Sequence, residues 1–149
     1  MDHAEEKPNS PEMSILIQQW QTCVEMANTV SQRRDTMNNL FVTLNLALTA
    51  AISLLWDVKT LSLLISGIIL CILWTHSIEN FKHLNAEKFR VIFLLEERMT
   101  LQPFQREWDY LQFNKKYQDG TKLESWLPKL FIGLYIVITL ILFAQKFLC

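Results

Sequence analysis

Apolar and polar positions follow one another along this chain in a few long blocks. In the first block Met13, Leu16, Ile17, Trp20, Val24, Ala27 and Val30 recur three, four and seven residues apart. That spacing is one face of a helix. Gln18, Gln19, Glu25, Arg33, Arg34 and Asp35 interrupt it, so an amphipathic helix outside the bilayer is expected over 12–37. Leu40 to Trp56 then carries no charged residue. With Asn38 and Asn39 it makes a first membrane span, 38–56, at the short end of the ~20 residues that hydrocarbon requires.

Asp57-Val58-Lys59-Thr60 reads as a hairpin, and an apolar run from Leu61 to Trp74 follows. The second span is placed at 61–77. No Pro and, after Gly67, no Gly interrupts the chain before Pro103, so one helix is expected to run from Leu61 to about Arg98. At 1.5 Å per residue it is about 60 Å long, twice the hydrocarbon thickness. Residues 78–126 form a polar, helix-rich insert. Gln102-Pro103 is expected to break the long helix, Phe104 to Lys116 to form another, and Gln118-Asp119-Gly120 to turn. Thr121-Lys122-Leu123-Glu124 resembles a capping box. The third span, 127–147, is flanked by Lys129 and Lys146, which can snorkel to the two faces. Residues 1–11, ended by Pro8 and Pro11, read as a disordered tail, with Ser10 as N-cap and Pro11 in the first turn of the amphipathic helix. The expected fold is thus an all-α membrane protein, three transmembrane helices whose cytoplasmic extensions pack as a stalk or bundle.

Basic residues orient the spans. Arg33 and Arg34 precede the first span, whereas the hairpin has only Lys59. The insert holds Lys82, Lys88, Arg90, Arg98, Arg106, Lys115, Lys116 and Lys122. This predicts the N-terminus and the insert in the cytoplasm, with the hairpin and the C-terminus outside. Composition agrees: half the residues are hydrophobic and 19% charged, and the net charge of −1 predicts no nucleic-acid partner. Cys23, Cys71 and Cys149 have neither metal-ligand nor CxxC spacing. The polar, acidic start is the wrong n-region for a cleaved signal peptide.

Catalytic patterns do not appear. There is no GxSxG, HExxH or CxxC, and with three Gly in the chain a phosphate cradle is implausible. Glu107, Asp109 and Glu124 could be paired carboxylates, but the sequence gives no geometry for that. His76 and His83 lie seven apart, and a lone His at a membrane exit suits snorkelling or hydrogen bonding better than metal ligation. The expectation is therefore a protein without catalytic residues, cofactor or metal.

Two groups of polar residues stand out. Asn38, Asn45, Thr49 and Ser53 fall within about 80° on the first span at 100° per residue. Asn exposed to lipid is costly, so this stripe faces protein or water. Helix–helix adhesion is one reading, and a water-lined pore or gate in an oligomer is the other. The stripe is expected to be satisfied only by neighbouring copies. Gly67, with Ser62 and Ser66, suggests close helix approach in the second span. Beyond the spans, Asn85, Lys88, Ile92 and Glu96 share a helical face with Phe81 and Met99. If that face is buried, the Lys and the Glu need partners. If it is a solvated edge, they need none. Trp20, Trp74, Trp108 and Trp126 suit interfaces.

The order of these elements resembles a known family. Trp20…Val24-Glu25-Met26-Ala27…Ser31-Gln32-Arg33-Arg34…Asn38-Asn39-Leu40-Phe41 comes first, then Trp74…Leu84-Asn85-Ala86-Glu87-Lys88-Phe89…Ile92…Leu95-Glu96. Pro103-Phe104…Glu107-Trp108…Leu111 and Tyr117…Thr121…Leu123-Glu124…Pro128…Phe131 complete the pattern. Together, over about residues 13–135, they resemble the RipA-like family of small octameric bacterial inner-membrane proteins. The resemblance implies a homo-octamer, ring-like and non-enzymatic, in the bacterial inner membrane. It also singles out Arg33, Arg34, Asn39, Asn85, Lys88, Glu96 and Trp108 as packing or interface positions. The functional expectation is a ring that alters membrane permeability when assembled or triggered, as an antiviral or stress effector, with a cytoplasmic protein as candidate trigger. The alternative is a scaffold whose cytoplasmic helices recruit a partner. A membrane enzyme acting on lipid is the least favoured.

Overall fold

The computed structural model describes residues 11–55, 60–113 and 120–148, the last three as backbone only. The chain order is α1 (Pro11–Leu55), α2 (Thr60–Glu96), α3 (Pro103–Phe113), α4 (Gly120–Glu124) and α5 (Trp126–Leu148). No strand occurs among the described residues. Three segments are long and apolar enough to cross a membrane, within α1, α2 and Gly120–Gln145. An all-α membrane protein with three spans is therefore what the chain forms. The tail through Ser10, residues 56–59 of the expected hairpin and residues 114–119 lie outside the described residues.

The long uninterrupted stretches have a simple cause. Pro11 opens α1 where its missing N–H costs nothing, and its carbonyl accepts from Ser14 Oγ at 2.8 Å. Neither Gly nor Pro then occurs until Gly67, so nothing in the chain ends α1 early. The long helix α2 stops at Glu96, before the expected break at Gln102-Pro103. Residues 97–100 turn, closed by Arg98 N–H to Leu95 O at 3.1 Å and Met99 N–H to Glu96 O at 2.9 Å. Pro103 begins α3 instead of ending α2. Ser125, whose N–H bonds Thr121 O at 3.0 Å, separates α4 from α5.

The helices pack as two units, and α1 and α2 contribute to both. The first comprises α1 up to Ser31, α2 from Leu84, and α3. Ala27, Val30 and Ile92 are buried there, and Phe89 meets Phe104 edge to face, centroids 5.9 Å apart. The second comprises α1 from Gln32, α2 up to His83, α4 and α5. Its core holds two clusters, Ile52–Leu64–Cys71–Tyr135 and Phe41–Trp74–Ile78, both touched by Phe131. Phe41 and Trp74 stack nearly parallel with centroids 5.7 Å apart.

Candidate functional site

Each unit is tied together by buried or half-buried polar contacts between helices, and of the residues that the sequence pattern singles out these include Arg34, Asn38, Asn45 and Glu96. In the second unit, Arg34 of α1 reaches α4. Its Nε and Nη2 both donate to Glu124 Oε2, at 2.8 and 2.6 Å, and Nη2 also donates to Thr121 Oγ1 at 3.0 Å. One turn along α1, Asn38 Nδ2 donates to the same carboxylate oxygen at 3.0 Å. The other end of that amide accepts from Trp74 Nε1 at 2.9 Å, which brings in α2. Thr121 and Glu124, expected as a capping box, instead lie inside a short helix and present both side chains to Arg34. A charge-assisted contact from another helix uses them more effectively than a local cap.

Two turns beyond Asn38, Asn45 is fully buried. Its Oδ1 accepts from Tyr135 Oη at 2.9 Å and from Cys71 Sγ at 3.2 Å, while its Nδ2 donates to Phe41 O at 2.8 Å. One amide thereby joins α1, α2 and α5. The expectation that neighbouring copies alone satisfy the stripe is corrected by these contacts. Asn38 and Asn45 are satisfied inside one protomer, because α2 and α5 close over that face of α1. Thr49 is half-buried and donates to Asn45 O at 2.8 Å. Ser53 is exposed and donates to Ala50 O at 2.7 Å. The four residues share a stripe on the helix but not an environment.

The close approach suggested by Gly67 is present. A Cβ at this position would lie 2.6 Å from Tyr135 Cε2. Only a residue without a side chain lets the Tyr135 ring lie against α2 and still reach Asn45.

The first unit is organised around Glu96, which is fully buried. Its Oε1 accepts from Trp20 Nε1 at 3.1 Å and from Phe104 N–H at 3.2 Å, and its Oε2 accepts from Gln105 N–H at 3.0 Å. The carboxylate thus caps the first turn of α3 and meets a positive helix end. The last residue of α2 so satisfies otherwise unpaired donors of α3. Of the other residues on its face, Asn85 holds Oδ1 buried without a hydrogen bond. Lys88 Nζ lies 3.9 Å from Met26 Sδ, a weak contact. Arg33, Asn39 and Trp108 are exposed. The face is therefore neither a solvated edge nor uniformly buried.

Beside Trp20 runs an open, mainly apolar groove of about 500 Å³, lined by Trp20, Val24, Ala27, Phe89, Ile92 and Phe104, with Gln21, Glu25, Asn28 and Ser31 also along it. Among the described residues no three of His, Cys, Asp and Glu gather as metal ligands.

Residue patterning does not anticipate Tyr135, Cys71 and Glu124 as partners. A lone Tyr in an apolar span was the available signal for the first. The other two carry none, because their partners lie 26 to 90 residues away.

The model of the octameric membrane protein family (8xMP) matches residues 17–144. No curated protein matches, and no solved structure matches.

Proposed function

Because the chain belongs to the octameric membrane protein family, we propose that it works as a ring-forming homo-oligomer, without catalytic chemistry, that alters membrane permeability when assembled or triggered. An antiviral or stress response in a bacterial inner membrane is the setting this reading favours, in keeping with the narrower RipA-like resemblance. The basic residues flanking the spans favour a cytoplasmic N-terminus and an external C-terminus. Three spans cannot enclose a pore alone, so permeability requires several copies.

One observation supports this reading over a purely structural assembly. On α1 the exposed positions Asn39, Thr43, Ala47, Ala50 and Ser53 fall within about 120°, shared only with Leu46 and Leu54. On α5 the exposed positions include Leu130, Leu134, Ile136, Val137, Leu140 and Ile141. The α5 face suits lipid, whereas the α1 face suits another copy or water. The wall of an opening is thus assigned to Asn39, Thr43 and Ser53 and not to Asn45. Purified protein in dye-loaded liposomes tests this. Leakage is expected, reduced at least several-fold by Thr43→Leu with Ser53→Leu. Intact oligomers that never leak, under voltage, acid or osmotic stress, overturn the reading.

A second reading, a scaffold that recruits a cytoplasmic partner, is favoured by α3. Tyr110 and Phe113 are 78% and 88% exposed there, in a segment too charged for hydrocarbon.

A further inference from the structure

We propose that the junction of α4 and α5 binds an anionic phospholipid, its phosphate held by Lys122, Trp126 and Lys129 and an acyl chain lying along the apolar face that continues from them. This inference rests on the reading of α5 as a lipid-facing helix and names the lipid class that the face selects.

The segment Gly120–Gln145 is long and apolar enough to cross a membrane. Along α5, Trp126, Lys129, Leu130, Gly133, Val137 and Leu140 are all exposed and fall within about 100° at 100° per residue. The Ser125 N–H bonds Thr121 O at 3.0 Å, which keeps helical spacing across the junction. Lys122, also exposed, therefore stands about one turn before Trp126 on the same side. The stripe changes chemistry once, from cations and an indole at the start of the span to apolar groups within it. A phospholipid has the same order, from headgroup to chain.

The polar end of the stripe has no partner in the protein. Trp20 and Trp74 donate their indole N–H groups to Glu96 and Asn38. Trp126 is 62% exposed and donates to no described residue. Among the described residues neither Lys122 nor Lys129 has an ion-pair partner. Glu124, the only carboxylate between 120 and 145, is taken by Arg34 and Asn38. Two cations and a donor thus meet the headgroup layer without an anion of their own, and a phosphodiester supplies one. Helical side chains lean toward the N-terminus of their helix, which brings the Lys129 ammonium back to the level of Trp126.

Gly133 gives the acyl chain its place. A Cβ there would meet no neighbouring group within 4 Å, so packing inside the protomer does not call for glycine, unlike at Gly67. The missing side chain leaves a notch in the apolar stripe between Leu130 and Val137, where a chain can lie against the backbone.

Electron paramagnetic resonance of the full chain in bilayers tests this, with spin-labelled phosphatidylglycerol or phosphatidylcholine of the same chains. The anionic lipid is expected to associate at least about fivefold more strongly, the contribution of one lysine near an anionic surface. Lys122→Gln with Lys129→Gln should bring the ratio near one. Gly133→Leu should reduce the motionally restricted signal. Arg33→Gln, on the exposed side of α1, should leave the ratio unchanged. An equal loss in Arg33→Gln means a diffuse charge effect and overturns the proposal. So does a preference abolished by glycerol 3-phosphate in the aqueous phase, which marks a soluble-anion site. If Gly133→Leu dissociates the oligomer in native mass spectrometry, another copy covers the face, and the proposal fails. A ratio of one in the unaltered protein overturns the lipid site and leaves self-assembly and permeability standing, because mass and leakage read those separately.

Discussion

Arg34 and Glu124 meet across 90 residues of chain, with both guanidinium donors on one carboxylate oxygen. Their side chains are 16% and 27% exposed, so water screens the pair only partly. Arg34→Leu leaves Glu124 with Asn38 and no cation. A destabilisation of about 1–3 kcal/mol is expected, read from the loss of helical signal in a denaturant titration of the detergent-solubilised protein. Arg34→Lys restores less than half, because an ammonium cannot place two fixed donors. Joint replacement of Arg34 and Glu124 by Leu should cost less than the sum of the single changes. An unchanged midpoint for Arg34→Leu would show that the contact contributes nothing.

Gly67 makes a sharper case, because a single methyl group decides it. Gly67→Ala places a Cβ 2.6 Å from one Tyr135 ring atom and 2.7 Å from another. The ring cannot move away freely, since its hydroxyl is held by Asn45. Overpacking of this kind costs about 1–3 kcal/mol. The same substitution in a Tyr135→Ala background should be nearly neutral. Equal costs in the two backgrounds would refute the contact.

Glu96→Gln probes the first unit without changing its size. The carboxylate accepts from three N–H groups, whereas the amide brings one acceptor and two donors of its own. Loss of the α3 cap by about 1–3 kcal/mol is expected. Hydrogen exchange at the Phe104 and Gln105 amides should quicken and Trp20 fluorescence shift to the red, while exchange in the spans stays as it was. Uniform change throughout the chain would argue against a local role.

The three segments long and apolar enough to cross a membrane were readable from local pattern. Uncharged runs, Pro placement and apolar spacing are short-range signals, and hydrocarbon admits few backbone conformations. Even so, one local signature misled. Thr121 and Glu124 have the spacing of a capping box, but a guanidinium 87 and 90 residues away claimed both. Glu96 needs a partner only if its face is buried, a choice the pattern leaves open, and nothing local indicated Trp20, 76 residues distant. The angular spread of the α1 stripe follows from helical spacing alone. Which of its members turn inward depended on where α2 and α5 lie.

Hydropathy and charge along the chain were enough to establish a three-span helical membrane protein, because crossing lipid is decided segment by segment. The use of each polar side chain was not available at that level. Asn45 lies between helices, Glu96 caps a neighbour, and Asn39 lies on the surface, although all three sit in helices of similar appearance. Those assignments depend on which faces of separate helices meet, and pairings between residues far apart in the chain leave no trace in local periodicity.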